Sequence, residues 1–244
     1  MKRVLPILSV LTALLLAYAF YQATWVAPTE RTMGDVQRIF YYHVPSAWTA
    51  FILFLINLVA SVIYLIRRNT KADAVALVSA EVGVVFCTVV LVTGPIWARP
   101  VWGIWWTWDI RLTTTLVLWL IYVSYLVLRR FSDSSQTPKL AAVLAIFGAL
   151  DVPLVYFSIW FFRTQHPQPV IGGGGSIDPR MLHVLLINWL AFSCLALLIC
   201  CFRYRLEMLQ REVQEAEAME SLSDVSGSVI QVPKPASPPN KVAR

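Results

Sequence analysis

The chain has 244 residues, 58% hydrophobic and only 14% charged, with a formal net charge of +6. A soluble domain carries about 25% charged residues. Here the shortfall comes from long apolar runs separated by short polar joints, a pattern that excludes an ordinary soluble globule. The basic residues sit mostly at the ends of those runs, so they belong to membrane topology and not to nucleic-acid binding.

Six runs are long enough to cross a hydrocarbon core of ~30 Å at ~1.5 Å per residue. They predict an all-α integral membrane protein with six transmembrane helices, at 4–24, 47–66, 74–95, 112–128, 140–162 and 181–202. The first follows Met1-Lys2-Arg3, as a secretory signal would. It reaches about Thr24 without a small-residue cleavage site, which predicts a retained helix. The first outward joint ends in Tyr41-Tyr42-His43-Val44-Pro45; the proline suits a first helical turn and leaves His43 at the loop end.

After the second and fourth runs come the pairs Arg67-Arg68 and Arg129-Arg130. Lys and Arg number ten on that side, counted with Lys2, Arg3, Lys71, Lys139, Arg203 and Arg205. The other side has six: Arg31, Arg38, Arg99, Arg111, Arg163 and Arg180. The richer side is expected to be cytoplasmic, with both termini inside and three loops outside. The chain should divide into a membrane domain at 1–202, a cytoplasmic helical extension at 203–221 rich in helix formers, and a disordered tail at 222–244.

The second outward loop, 96–111, holds five of the ten tryptophans: Trp97, Trp102, Trp105, Trp106 and Trp108. Indoles favour the membrane boundary, but a belt would spread them over many helix ends. Their concentration beside Pro100 and Gly103 predicts an aromatic surface for a large flat ligand, with Gly103 allowing close approach. Asp109 and Arg111 follow; either they pair with each other, or Arg111 or Arg99 meets ligand carboxylates.

The third outward loop opens with Thr164-Gln165-His166-Pro167 and continues into Gly172–Gly175. The glycine run lacks the Gly-Lys-Ser/Thr ending of a phosphate loop and predicts flexibility. His43 and His166 fall on the same side as the tryptophans, and two neutral imidazoles there suit the axial positions of a haem iron. His183 is expected near the same surface. The four cysteines lie in apolar runs and none has metal-finger or covalent-haem spacing. Glu81 and Asp151 fall inside predicted helices, where charges are costly and often functional.

The segment Trp102-Gly103-Ile104-Trp105-Trp106-Thr107-Trp108-Asp109-Ile110-Arg111-Leu112-Thr113 resembles the tryptophan-rich signature of the haem-handling proteins of cytochrome c biogenesis. Thr93-Gly94, Trp97, Pro100, the His43 and His166 loops and Ser176-Ile177-Asp178-Pro179 extend the resemblance, over about residues 30–200, to the haem exporter protein C family. Membership would imply a haem-handling subunit and not an enzyme, placed in the inner (cytoplasmic) membrane with its site facing outward. Non-covalent haem b would be ligated by His43 and His166, against Trp102, Trp105, Trp106, Trp108, Asp109 and Arg111. Its expected partners are a membrane-anchored haem chaperone, which receives the haem, and an ATP-binding subunit, a second membrane subunit and a small helper of the same complex. A cytochrome c haem lyase and a small-solute permease are the rival readings. The lyases have more helices, and a permease needs a polar path.

Overall fold

The computed structural model describes residues 4–132, 134–162, 164–167 and 177–229. The helices are α1 (Val4–Tyr21), α2 (Phe40–Arg67), α3 (Thr70–Trp102), α4 (Ile110–Phe131), α5 (Thr137–Ala149), α6 (Asp151–Phe161) and α7 (Pro179–Val229). Among the described residues, six helical stretches are long and apolar enough to cross a membrane, α5 and α6 together making the fifth. The chain is thus a helical, multi-pass membrane protein. Residues 1–204 form one compact unit and 205–244 a second.

The fifth span is broken at Leu150 for a local reason. Pro153 lacks an N–H and its ring opposes the Ala149 carbonyl, so the ladder stops there. Leu150 closes a tighter turn instead, donating to the Phe147 carbonyl at 3.2 Å. Asp151 is buried at the start of α6.

Three prolines fall inside helices where the sequence predicts helix ends or loop. Pro45 is the sixth residue of α2, not a first-turn residue, and His43 belongs to the helix. A 3-10 turn over Asp35–Ile39 runs directly into α2, so helical geometry is established before the proline arrives. Only one ladder bond is lost to Pro45, and Phe40, Tyr41, His43 and Ser46 are all buried around it. Likewise α3 runs through Pro95 and Pro100 to Trp102, which makes the first part of the tryptophan loop helical. That helix ends on Gly103, whose φ of 79° no L side chain adopts comfortably. Its N–H closes on the Arg99 carbonyl at 3.0 Å. Gly103 therefore serves the turn; nothing approaches within 4 Å of where its Cβ would be.

The helices pack through small residues and a few rings, as expected where lipid supplies no hydrophobic drive between helices. A Cβ on Gly83 would stand 2.7 Å from the Phe54 ring, so α2 and α3 meet at that glycine. Phe54 in turn stacks on Tyr122 of α4, with centroids 3.9 Å apart. In α1 the buried residues are Leu5, Thr12 and Ala19, one narrow seam repeating every seventh residue. Asn188 of α7 donates to the Ala19 carbonyl there, at 3.3 Å.

Among the described residues, two ion pairs cross the bundle. Arg129 grips Asp73 through two bonds of 2.5 and 2.8 Å. Arg203 grips Glu81 the same way, at 2.8 and 2.7 Å. Glu81 and Arg203 thus neutralise each other within the bundle. In the second unit Arg211 pairs with Glu207 at one-turn spacing. Helix α7 is assigned to Val229, past Leu222 where composition predicts disorder; residues 230–244 lie outside the described residues.

Candidate functional site

One end of the bundle gathers the N-termini of α2 and α4, the C-terminal turns of α3 and the end of α6 around a cavity. It opens to the outside through a wide mouth. Sites for large organic ligands are mostly apolar with a few placed polar groups. Here the apolar lining includes Ala47, Ala50, Phe51 and Val155, and the polar groups include His43, His166, Arg111 and the indoles of Trp97 and Trp106.

His43 is 8% exposed. Its Nδ1 contacts the Thr93 hydroxyl of α3 at 2.9 Å. His166 lines the same cavity, from the short segment after α6. Its Nδ1 lies 2.9 Å from the Pro167 carbonyl. A carbonyl only accepts, so Nδ1 carries the proton and Nε2 holds the free lone pair. Burial first, and the Arg111 guanidinium second, push the His166 imidazole down to about 4, against smaller opposing pulls from the Pro167 carbonyl and Asp109. It is a neutral donor of one lone pair at physiological pH.

Asp109 does not line the cavity and does not pair with Arg111. It is the N-cap of α4, where Oδ1 accepts the Leu112 N–H at 3.0 Å. Its other oxygen crosses to the histidine segment, accepting the Thr164 hydroxyl at 2.8 Å and the Gln165 N–H at 3.3 Å. One carboxylate thereby starts α4, which presents Arg111, and tethers the segment that presents His166.

Arg111 turns into the cavity, with Nη1 buried and without a partner among the described residues. The indole N–H groups of Trp97 and Trp106 are likewise buried without partners among the described residues. Three orphan donors on one apolar cavity are costly unless an acceptor arrives.

The tryptophans divide by position. Trp102 and Trp106 line the cavity. Trp105 is 59% exposed and Trp108 76%, the latter packed edge-on against Trp106 with centroids 5.8 Å apart. Neither is part of the lining. His183 is exposed on α7 and also lies off the cavity. Trp97 and Thr93 were legible only as parts of a motif; once 93–102 is helical, the four-residue spacing puts both on the face that meets His43. The glycine run 172–175 lies outside the described residues.

Comparison with known proteins decides the family. Residues 1–219 match the profile described as Heme exporter protein C. The chain belongs to the haem exporter protein C family. A Bradyrhizobium diazoefficiens member is 36% identical over 222 residues, covering 90% of this chain and 84% of its own. The Haemophilus influenzae member is 32% identical over 212 residues, 86% of each chain. That of Escherichia coli K12 is 32% identical over 194 residues, 79% of this chain and 78% of its own. The family profile therefore spans every helix that contributes to the cavity.

Proposed function

We propose that this chain holds haem as cargo at the outward end of its bundle and passes it to a membrane-anchored haem chaperone in c-type cytochrome biogenesis. The carrying observation is the chemistry of one cavity: two imidazoles and three donors without partners among the described residues, over an apolar floor. Haem needs each of these. Its iron takes two imidazole nitrogens, its propionates take cationic and N–H donors, and its ring takes apolar and aromatic walls. His43 and His166 would be the axial ligands, with haem b bound non-covalently so that it leaves intact.

Arg111 would meet a propionate, assisted by the Trp106 and Trp97 indoles, and Trp102 with Trp106 would wall the porphyrin. The exposed Trp105 and Trp108 stand at the rim, where a receiving protein would approach. The described part of the chain performs no bond-making step in this reading. It binds, orients and shields the haem; an ATP-binding subunit, a second membrane subunit and a small helper supply the work of release. The charge bias of the loops supports a cytoplasmic-membrane protein with both termini inside and this cavity outside. The permease reading is weakened because Glu81 is gripped by Arg203.

The test is transfer. The haem-loaded protein in lipid nanodiscs is mixed with the chaperone's soluble domain, and the haem on each is followed by absorption and by pyridine haemochrome. Haem should move to the chaperone. A protein that neither copurifies with haem nor takes up added haem would overturn the proposal.

A further inference from the structure

We infer that Thr93 is a positioning residue whose hydroxyl fixes the tautomer of His43, so that Nε2 and not Nδ1 is offered to the haem iron. The inference rests on the proposed role of His43 as a haem ligand.

Thr93 Oγ1 makes two close contacts, with His43 Nδ1 at 2.9 Å and with the Val89 carbonyl oxygen at 2.7 Å. Two oxygens approach that closely only with a proton between them, and the carbonyl has none to give. The single hydroxyl proton of Thr93 therefore points back along α3 to Val89. Only lone pairs remain towards His43, so Nδ1 must be the donor. A neutral imidazole has one N–H, which leaves Nε2 bare.

The ring is also caged. The Trp97 indole stands edge-on to it, with centroids 5.8 Å apart and planes at 72°. A Cβ at Gly94 would already touch its Cε1, at 3.4 Å. One face of α3 thus supplies the hydroxyl, the gap and the wall that hold His43. The other imidazole reaches the same tautomer by a different device, the Pro167 carbonyl next to it in sequence. Removing the Thr93 hydroxyl should therefore disturb His43 alone. Donation from Nδ1–H also makes Nε2 a stronger base, which favours ferric over ferrous haem.

The experiment uses the full chain in nanodiscs, labelled with 15N-histidine, as wild type, Thr93→Val and Thr93→Ser. Imidazole 15N shifts of the haem-free protein, with His43 identified by its loss in His43→Ala, should show an Nδ1–H tautomer in wild type and Thr93→Ser. Thr93→Val, matched in shape, should lose it. On haem addition Thr93→Val should bind roughly 10–100-fold more weakly and shift the haem midpoint potential upward, while Thr93→Ser stays at wild type. An unchanged tautomer and potential in Thr93→Val, or a Thr93→Ser that behaves like it, would overturn the inference. If the tautomer responds as expected but His43→Ala leaves the haem spectrum unchanged, the tautomer assignment stands and the ligand role of His43 falls, taking the inference with it.

Discussion

Replacing Asp109 by alanine should weaken haem binding through His166, although the residue does not touch the cavity. The carboxylate accepts the Thr164 hydroxyl at 2.8 Å and the more distant Gln165 N–H at 3.3 Å. Hydrogen bonds to a charged group contribute about 1.5–3 kcal/mol each at good geometry. Taking about 2 for the first and about 1 for the second gives about 3 kcal/mol for the tether, or a roughly 100-fold loss of haem affinity. The lost N-cap at Leu112 costs about 1 kcal/mol more, in the stability of α4. The assay is haem titration of the haem-free protein in nanodiscs, read at the Soret band, for Asp109→Ala, Thr164→Val and the double variant. Because Thr164 is one end of the tether, Thr164→Val should give most of the effect and the double variant little beyond Asp109→Ala. In a His166→Ala background, Asp109→Ala should change affinity little. Multiplying effects of Asp109 and Thr164, or an Asp109 effect undiminished without His166, would refute the tether.

Arg111→Gln should weaken binding of haem but hardly that of its dimethyl ester, because only the free propionates present charge to the guanidinium; equal loss for both ligands would move Arg111 out of that role. Trp106→Ala should lower haem per protein, whereas Trp105→Ala should leave loading intact and slow transfer to the chaperone; Trp119→Ala, whose indole donates to Thr88 at 2.8 Å, is the packing control. Arg129→Ala should remove both charged bonds to Asp73, whose side chain is 5% exposed, and destabilise the bundle, seen as lower membrane abundance with haem per surviving protein unchanged.

Much of the bundle was legible because apolar run length is a one-dimensional signal and the bilayer sets its scale. The spans at 4–24 and 112–128 lie within helices that end only two or three residues beyond them. The errors cluster at proline. Local rules place Pro45, Pro95 and Pro100 at helix edges, yet the helices run through all three, with burial around Pro45 but only Ala98 buried near Pro95 and Pro100. Within the tryptophan loop the sequence names inward and outward residues together, since a non-periodic segment has no face to count along. Hence Trp102 and Trp106 line the cavity while Trp105 and Trp108 do not. The tether from Asp109 and the hydroxyl of Thr93 were hidden for another reason. Their partners lie 55 and 50 residues away, and only the packed bundle brings them together.

The most direct test of the account is the optical and EPR spectrum of ferric haem bound to the wild-type chain, His43→Ala and His166→Ala, with and without added imidazole. The account predicts a low-spin bis-imidazole spectrum in wild type, a high-spin component in each single variant, and return of the low-spin form when imidazole fills the vacated position. A wild-type spectrum retained by both alanine variants would contradict it.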